Sequence, residues 1–278
     1  MLEIVVATRT WVGYLRPIQL PNPAGTSVMP SSGASAPTVL ITGSARRIGR
    51  AIALDLARAG WQVCVHYRRS SEDALELVAE IRGLGGVGEA VAADLASEAD
   101  VARLIPRCRE ALGAPVCLIN NASEFQVDTV ATTTPKTWDT HLDINLKAPV
   151  FLAQSLFLNL PEGASGNVIN IIDQRVWKLT PDFFSYTISK AGLWTATRTL
   201  AQALAPRVRV NAIGPGPVLK SIHQTDADFA REAHSTLLGR GPSPEEIAAA
   251  VRFILASPSL TGQMIALDGG QHLTWTVT

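Results

Sequence analysis

Residues 38–42 read Thr-Val-Leu-Ile-Thr and stop at Gly43; a helical pattern then runs from about Arg47 to Ala59 and is closed by Gly60. A short, unbroken apolar run is what a strand buried on both faces requires, because neither of its faces meets water. The unit recurs along the chain. Strand patterns at 62–66, 88–92, 116–119, 167–172, 208–213 and 264–267 alternate with helical ones. The helices are expected at 71–82, at 98–111, in one long stretch after Pro135, at 183–204, and from a capping box with proline at Ser243-Pro244-Glu245-Glu246. Seven strands alternating with helices predict an α/β fold: a doubly wound, seven-stranded parallel sheet with helices on both faces. In such a sheet, ligands belong at the carboxyl ends of the strands.

The pattern covers residues 37–278, which reads as one domain. Residues 1–36 show no sustained period, carry Pro17, Pro21, Pro23 and Pro30, and are expected to form a flexible N-terminal extension. Composition narrows the functional classes. The 24 basic residues equal the 24 acidic ones. No basic excess is there to neutralise a phosphate backbone, so nucleic acid is not an expected partner. No apolar run reaches the roughly 20 residues of a membrane span, so no membrane association is expected. Cys64, Cys108 and Cys117 are odd in number and lack metal or redox spacing. They read as reduced, packed thiols of a cytoplasmic protein, and no metal site is expected.

Chemistry concentrates in the loops after the strands. Thr42-Gly43-Ser44-Ala45-Arg46-Arg47-Ile48-Gly49 joins the first strand to the first helix. Gly43 permits a tight turn, Gly49 permits close packing, and the helix start offers N–H groups and a positive dipole end to a pyrophosphate. Arg47 stands where the usual fingerprint has its middle glycine, and its guanidinium is expected to pair with phosphate while its plane faces the substrate. The second strand ends in His66-Tyr67-Arg68-Arg69-Ser70, with no carboxylate before Glu72 to hold ribose hydroxyls. Two arginines and a serine suit a 2′-phosphate, which favours NADPH over NADH. Asp94-Leu95, after the third strand, is placed to meet the adenine edge, although an aspartate there also reads as a helix N-cap. Tyr186 and Lys190 lie at i and i+4, on one helix face. A cation beside a phenol is expected to lower its pKa, which suits an acid working near neutrality.

In this order on this scaffold, Thr42–Gly49, Asn120-Asn121-Ala122-Ser123, Asn145, Tyr186-Thr-Ile-Ser-Lys190, Pro215-Gly216-Pro217 and Leu267-Asp268-Gly269-Gly270 resemble the short-chain dehydrogenase/reductase family. The resemblance spans about 240 residues from Pro37 onward. It implies a Rossmann fold, a nicotinamide cofactor, Tyr186 as proton donor with Lys190 and Asn145 in support, and a homotetramer. It carries cofactor contacts to Gly43, Arg46, Arg47, Ile48, Gly49, His66, Tyr67, Arg68, Arg69, Ser70, Asp94, Leu95, Asn121, Ala122, Ser123, Lys190, Pro215 and Gly216. Asp173 replaces the family's usual serine, and together with Arg47 it resembles the pteridine reductase branch. That branch implies a pterin-like small-molecule substrate stacked on Phe125, with Arg47, Ser123, Asp173, Phe183 and Tyr186 lining its site. Asp173, Tyr186, Lys190 and Asn145 are then the expected catalytic set. Pro217-Val218 departs from the branch, and the substrate loop 218–240 shows no recognisable pattern. The rival readings are a carbonyl or 3-oxoacyl-thioester reductase of the same family, and a dinucleotide sensor without catalysis.

Overall fold

The computed structural model describes residues 36–275. But for Ala36, the expected N-terminal extension lies outside the described residues. The strands are β1 (Thr38–Ile41), β2 (Gln62–Tyr67), β3 (Val87–Ala92), β4 (Pro115–Asn120), β5 (Gly166–Ile171), β6 (Val208–Pro215) and β7 (Met264–Leu267). They form one parallel sheet in the order β3-β2-β1-β4-β5-β6-β7. The helices are α1 (Arg47–Arg58), α2 (Ser71–Gly83), α3 (Glu98–Leu112), α4 (Pro135–Leu142), α5 (Ala148–Asn159), α6 (Phe184–Leu204), α7 (Asp226–His234) and α8 (Pro244–Ala256). None of them is long and apolar enough to cross a membrane.

Strand periodicity builds two cores from one sheet. Val39 and Ile41 of β1 face α1, α2 and α8, where Ile52, Leu56, Leu77, Ile81, Ile247 and Val251 are buried. Leu40, between them in sequence, points the other way, toward Leu104 and Ile105 of α3 and Leu152 and Leu156 of α5. Val39, Leu40 and Ile41 are therefore apolar without alternation because each serves one core or the other, while Thr38 donates its hydroxyl to the Leu112 carbonyl. After β3 the chain returns to the sheet on the other side of β1, as β4. The reversal leaves a crevice at the carboxyl ends of β1 and β4.

Three elements differ from the sequence expectation. The single long helix after Pro135 is instead α4, a π-helical turn at Asp143–Lys147, and α5. Pro149 has no N–H, and its ring excludes the carbonyl four residues earlier, so the helix widens before restarting at Ala148. β6 extends to Pro215 because Gly214 and Pro215 pair with Ala266 and Leu267 of β7. The segment 218–240 contains α7, which is headed by a capping box of Thr225 and Asp228 and buries none of its residues.

Candidate functional site

The loop between β1 and α1 is held by side chains from two neighbouring strands. Thr42 Oγ1 accepts from the backbone N–H groups of Asn121 and Ala122, both at 3.0 Å, and the Asn121 amide donates to the carbonyls of Thr42 and Gly43. A Cβ on Gly49 would sit 2.6 Å from Asn121 Nδ2 and 2.7 Å from the Gly43 carbonyl oxygen. Gly43 adopts φ +61°, the left-handed region that glycine enters without strain. His66 Nδ1 accepts from the Gly43 N–H at 2.9 Å, and its Nε2 is 3.1 Å from the Ala93 carbonyl oxygen. Nε2 therefore carries the ring proton. Burial pushes the imidazole down to about 4, so it braces the loop as a neutral ring.

α1 begins at the mouth of this loop, and no side chain caps it. The first-turn N–H groups therefore stay open toward the crevice. Arg46 pairs with Asp73 at 2.5 Å. Arg47 sits at φ +56°, an αL conformation that costs a non-glycine residue about 1–3 kcal/mol. Its guanidinium donates to the carbonyls of Leu219 and Lys220 at 3.0 and 2.9 Å, which binds the loop to the segment after β6. Arg68 and Arg69 are exposed at the end of β2. Glu124, unnoticed in the sequence, comes within 3.8 Å of Arg68. Asp94 does not cap α3, a role taken by Ser97; its carboxylate accepts from Ala96 N–H and shapes the turn after β3.

At the carboxyl end of β5, the Tyr186 hydroxyl donates to Asp173 Oδ2 at 2.9 Å. Asp173 also accepts from the Arg175 backbone at 2.8 Å and faces the Arg175 guanidinium at 3.4 Å. Lys190 Nζ donates to the Ile171 carbonyl at 2.9 Å and lies 5.7 Å from the Tyr186 ring centroid. The expected lowering of the phenol pKa is not what this arrangement produces. Burial, joined by the Asp173 carboxylate, pushes Tyr186 well above its ordinary value. Burial also pushes Lys190 down to about 8, with Asp173 opposing it.

Phe125 stacks on Phe183 with centroids 4.5 Å apart, and meets Tyr186 edge-on at 4.7 Å. Phe183 adopts φ +55° immediately before α6. The Arg175 guanidinium lies 4.8 Å from the Phe183 ring. Arg47 and Phe183 are the two non-glycine residues with positive φ among those described, and both line the same crevice.

That crevice is a cleft of roughly 770 Å³. It brings together every residue expected from the sequence except Asn145. Asn145 is fully buried in the π turn behind the cleft. Its amide donates to the Glu124 carbonyl and to Ser189 Oγ, and its oxygen accepts from Glu124 N–H and Ser123 Oγ. Its four bonds tie the Ser123-Glu124 backbone to α6. Sequence reasoning missed Arg175, Glu124 and His223, which also line the cleft. For Arg175 the one available signal was its place two residues after Asp173 in a strand-end loop.

Known proteins agree with this geometry. A family model described as enoyl-(acyl carrier protein) reductase matches residues 43–272. A 3-oxoacyl-[acyl-carrier-protein] reductase of Synechocystis is 33% identical over 244 residues, covering 85% of this chain and 97% of the relative. The corresponding reductase FabG of Staphylococcus aureus is 31% identical over 241 residues, covering 85% and 98%. Among solved structures, FolM alternative dihydrofolate reductase 1 from Brucella canis, complexed with NADP, superposes with a TM-score of 0.83 at 48% identity, covering 87% of this chain and 97% of that one. The Brucella suis protein, also with NADP, gives 0.84 at 50% identity with the same coverage. With a doubly wound sheet, a Gly43–Gly49 loop and a Tyr186–Lys190 pair at one cleft, the chain belongs to the short-chain dehydrogenase/reductase family and is an oxidoreductase.

Proposed function

We propose that the protein is an NADPH-dependent pteridine reductase acting on a dihydropteridine or dihydrofolate-like substrate. The observation that carries the reading is the carboxylate of Asp173 bonded to Tyr186 at 2.9 Å, with the Phe125 ring edge-on to Tyr186 beside them in the cleft. A carbonyl substrate needs a neutral hydroxyl donor at that point, whereas a 2-aminopteridine ring offers N–H donors that a carboxylate accepts. The 48–50% identity to the FolM dihydrofolate reductases supports the same choice.

The residues fit the cofactor. The open N–H groups of α1, with a loop that Gly43 and Gly49 let pack closely on Ala122 and Asn121, suit a pyrophosphate. Arg68, Arg69 and the uncapped hydroxyl of Ser70 suit a ribose 2′-phosphate. Leu95, Asn121, Ala122, Pro215 and Gly216 line the intervening floor, and Lys190 stands where it would hold the second ribose. Bound there, NADPH supplies a hydride for a C=N bond of the substrate. Tyr186 delivers the accompanying proton to the ring nitrogen. Asp173 accepts from the ring N–H groups and holds the Tyr186 hydroxyl at the start of that path. Phe125 supports the ring face, and Ser123 and Arg47 lie toward its polar edge. The protein's part is orientation and electrostatics.

The 31–33% identity to 3-oxoacyl-[acyl-carrier-protein] reductases supports a second reading, reduction of a 3-oxoacyl thioester. NADPH oxidation measured with dihydrobiopterin, dihydrofolate and an acetoacetyl thioester separates the two. Turnover of the pteridines is expected. Turnover confined to the thioester overturns the pteridine reading, and NADPH binding without turnover of any substrate supports a sensor.

A further inference from the structure

Behind the aromatic group of Phe125, Phe183 and Tyr186 lies a buried cluster for which the proposed chemistry has no role. His141 and Ser185 are wholly buried and Asp128 is 2% exposed. They come from three elements: α4, the first turn of α6, and the loop that follows β4. Gln126 donates its backbone N–H to His141 Nε2 at 3.0 Å, and His141 Nδ1 lies 2.6 Å from Ser185 Oγ. Ser185 donates its hydroxyl to Asp128 Oδ2 at 2.5 Å, and its backbone N–H donates to the same carboxylate at 3.2 and 3.3 Å. The Phe184 N–H donates to the Asp128 carbonyl at 3.1 Å.

The direction of this chain is determined. A backbone N–H can only donate, so His141 Nε2 presents a lone pair and the neutral ring carries its proton on Nδ1. Ser185 Oγ accepts that proton's bond and passes its own to Asp128. The reverse order would set Nε2–H against the Gln126 N–H and strip the hydroxyl from a buried carboxylate. Asp128 thereby caps α6 from a distant part of the chain, since no side chain at Phe183 does so. Burial pushes His141 below its ordinary value. Lys190 adds to that effect, and Asp128 and Glu124 oppose it. The edge of the imidazole also meets the Tyr186 ring at 6.0 Å.

We propose that His141, Ser185 and Asp128 are positioning residues, a one-way relay that holds the Phe125 loop against the turn bearing Tyr186 and so sets the slot for a planar heterocycle. Gln126 is the residue after Phe125, and Ser185 is the residue before Tyr186. The relay links these two positions through the His141 and Ser185 side chains, beside the Phe184–Asp128 backbone bond and the Asn145 bridge. The substrate class rests on the pteridine reading; the relay itself does not.

The test uses the NADP-bound protein and its Ser185→Ala and His141→Gln variants. Nitrogen-detected NMR of the wild type is expected to find His141 protonated at Nδ1, the tautomer less favoured in free histidine. In Ser185→Ala, amide exchange at Gln126 is expected to rise about tenfold with Val39 and Leu40 in β1 unchanged, a local opening of the kind exchange reports. KM for dihydrobiopterin is expected to rise about tenfold while kcat and the NADPH Kd stay within about threefold, the mark of lost substrate positioning. His141→Gln keeps one donor and one acceptor and is expected to hold KM within about threefold of wild type. An Nε2–H tautomer overturns the relay. So does exchange that rises equally in β1, or faster Gln126 exchange with an unchanged KM. If the wild type leaves dihydrobiopterin untouched, the pteridine reading fails by itself, and the tautomer and exchange measurements still decide the relay.

Discussion

The Tyr186 hydroxyl donates to the Asp173 carboxylate at 2.9 Å from thirteen positions further along the chain. The bond joins the end of a strand to the first turn of a helix, and it reverses a simple expectation. A lysine one helical turn away would favour phenolate, but the nearer carboxylate and burial favour the phenol. Tyr186 is therefore held as a proton source, with Asp173 orienting its hydroxyl. Tyr186→Phe keeps the ring against Phe125 and removes the hydroxyl. NADPH-dependent turnover is expected to fall at least about a thousandfold, with the NADPH Kd within about twofold of wild type by fluorescence titration. Retained turnover would reject this role.

Arg68 and Arg69 are exposed at the end of β2 and line the cleft, Arg68 with Glu124 at 3.8 Å. Each charge-assisted hydrogen bond contributes about 1.5–3 kcal/mol. The double variant Arg68→Ala/Arg69→Ala is expected to weaken NADPH binding by roughly 100- to 10,000-fold and NADH binding by no more than about threefold. Calorimetric Kd values for both cofactors check this. An equal loss for the two would mean that the arginines do not read the 2′-phosphate.

Gly49 is squeezed between Asn121, Gly43 and Ser44, so a methyl group there meets backbone that cannot yield. Gly49→Ala is expected to cost about 1–3 kcal/mol of stability and to weaken NADPH binding, because the phosphate loop must shift. Chemical denaturation and cofactor titration of the variant provide the measure. A fully wild-type Kd and midpoint would contradict the close packing.

His66 makes stability depend on acid. Its folded pKa of about 4 lies below the ordinary 6.5. Between those values the unfolded chain binds a proton that the folded one refuses, so stability falls as pH drops from about 6.5 to about 4. The loss is bounded at about 3 kcal/mol, and His141, shifted the same way, adds to it. Urea midpoints across that window should decline with acid, and His66→Asn should flatten the slope. A midpoint independent of pH would count against both buried neutral rings.

Lys190, at about 8, loses its charge within a measurable range. The value of kcat/KM for NADPH, which reports the free enzyme, is expected to fall above about pH 8, and Lys190→Arg is expected to move that limb upward by a unit or more. A profile flat to about pH 9.5 would show that the charge on Lys190 is not needed for cofactor capture.

Some elements were legible in the sequence because their signals are local. β1 shows itself as an apolar run since Val39, Leu40 and Ile41 each serve one of two cores, and α8 shows its Ser243–Glu246 box. α7 was not seen because it buries no residue and so has no apolar stripe; its Thr225–Asp228 box was the one sign of it. The π turn left no periodic trace, although Pro149 marks where the helix must break. Asn145 was expected near the chemistry. It instead spends all its bonds on Glu124, Ser123 and Ser189, which no spacing rule reveals.

The run Thr38–Thr42 with its closing Gly43, where the chain's regular pattern begins, already determined the layer architecture, the glycine turn and the side of the sheet that binds ligands. Those properties follow from period, apolarity and backbone freedom, and each is written in consecutive residues. Tertiary structure alone decided the charge states and the long-range pairings: Asp173 against Tyr186, Glu124 against Arg68, and His141 with its proton on Nδ1. Burial and the nearest charge set those, and the neighbours concerned come from different strands and helices that meet only when the sheet has formed.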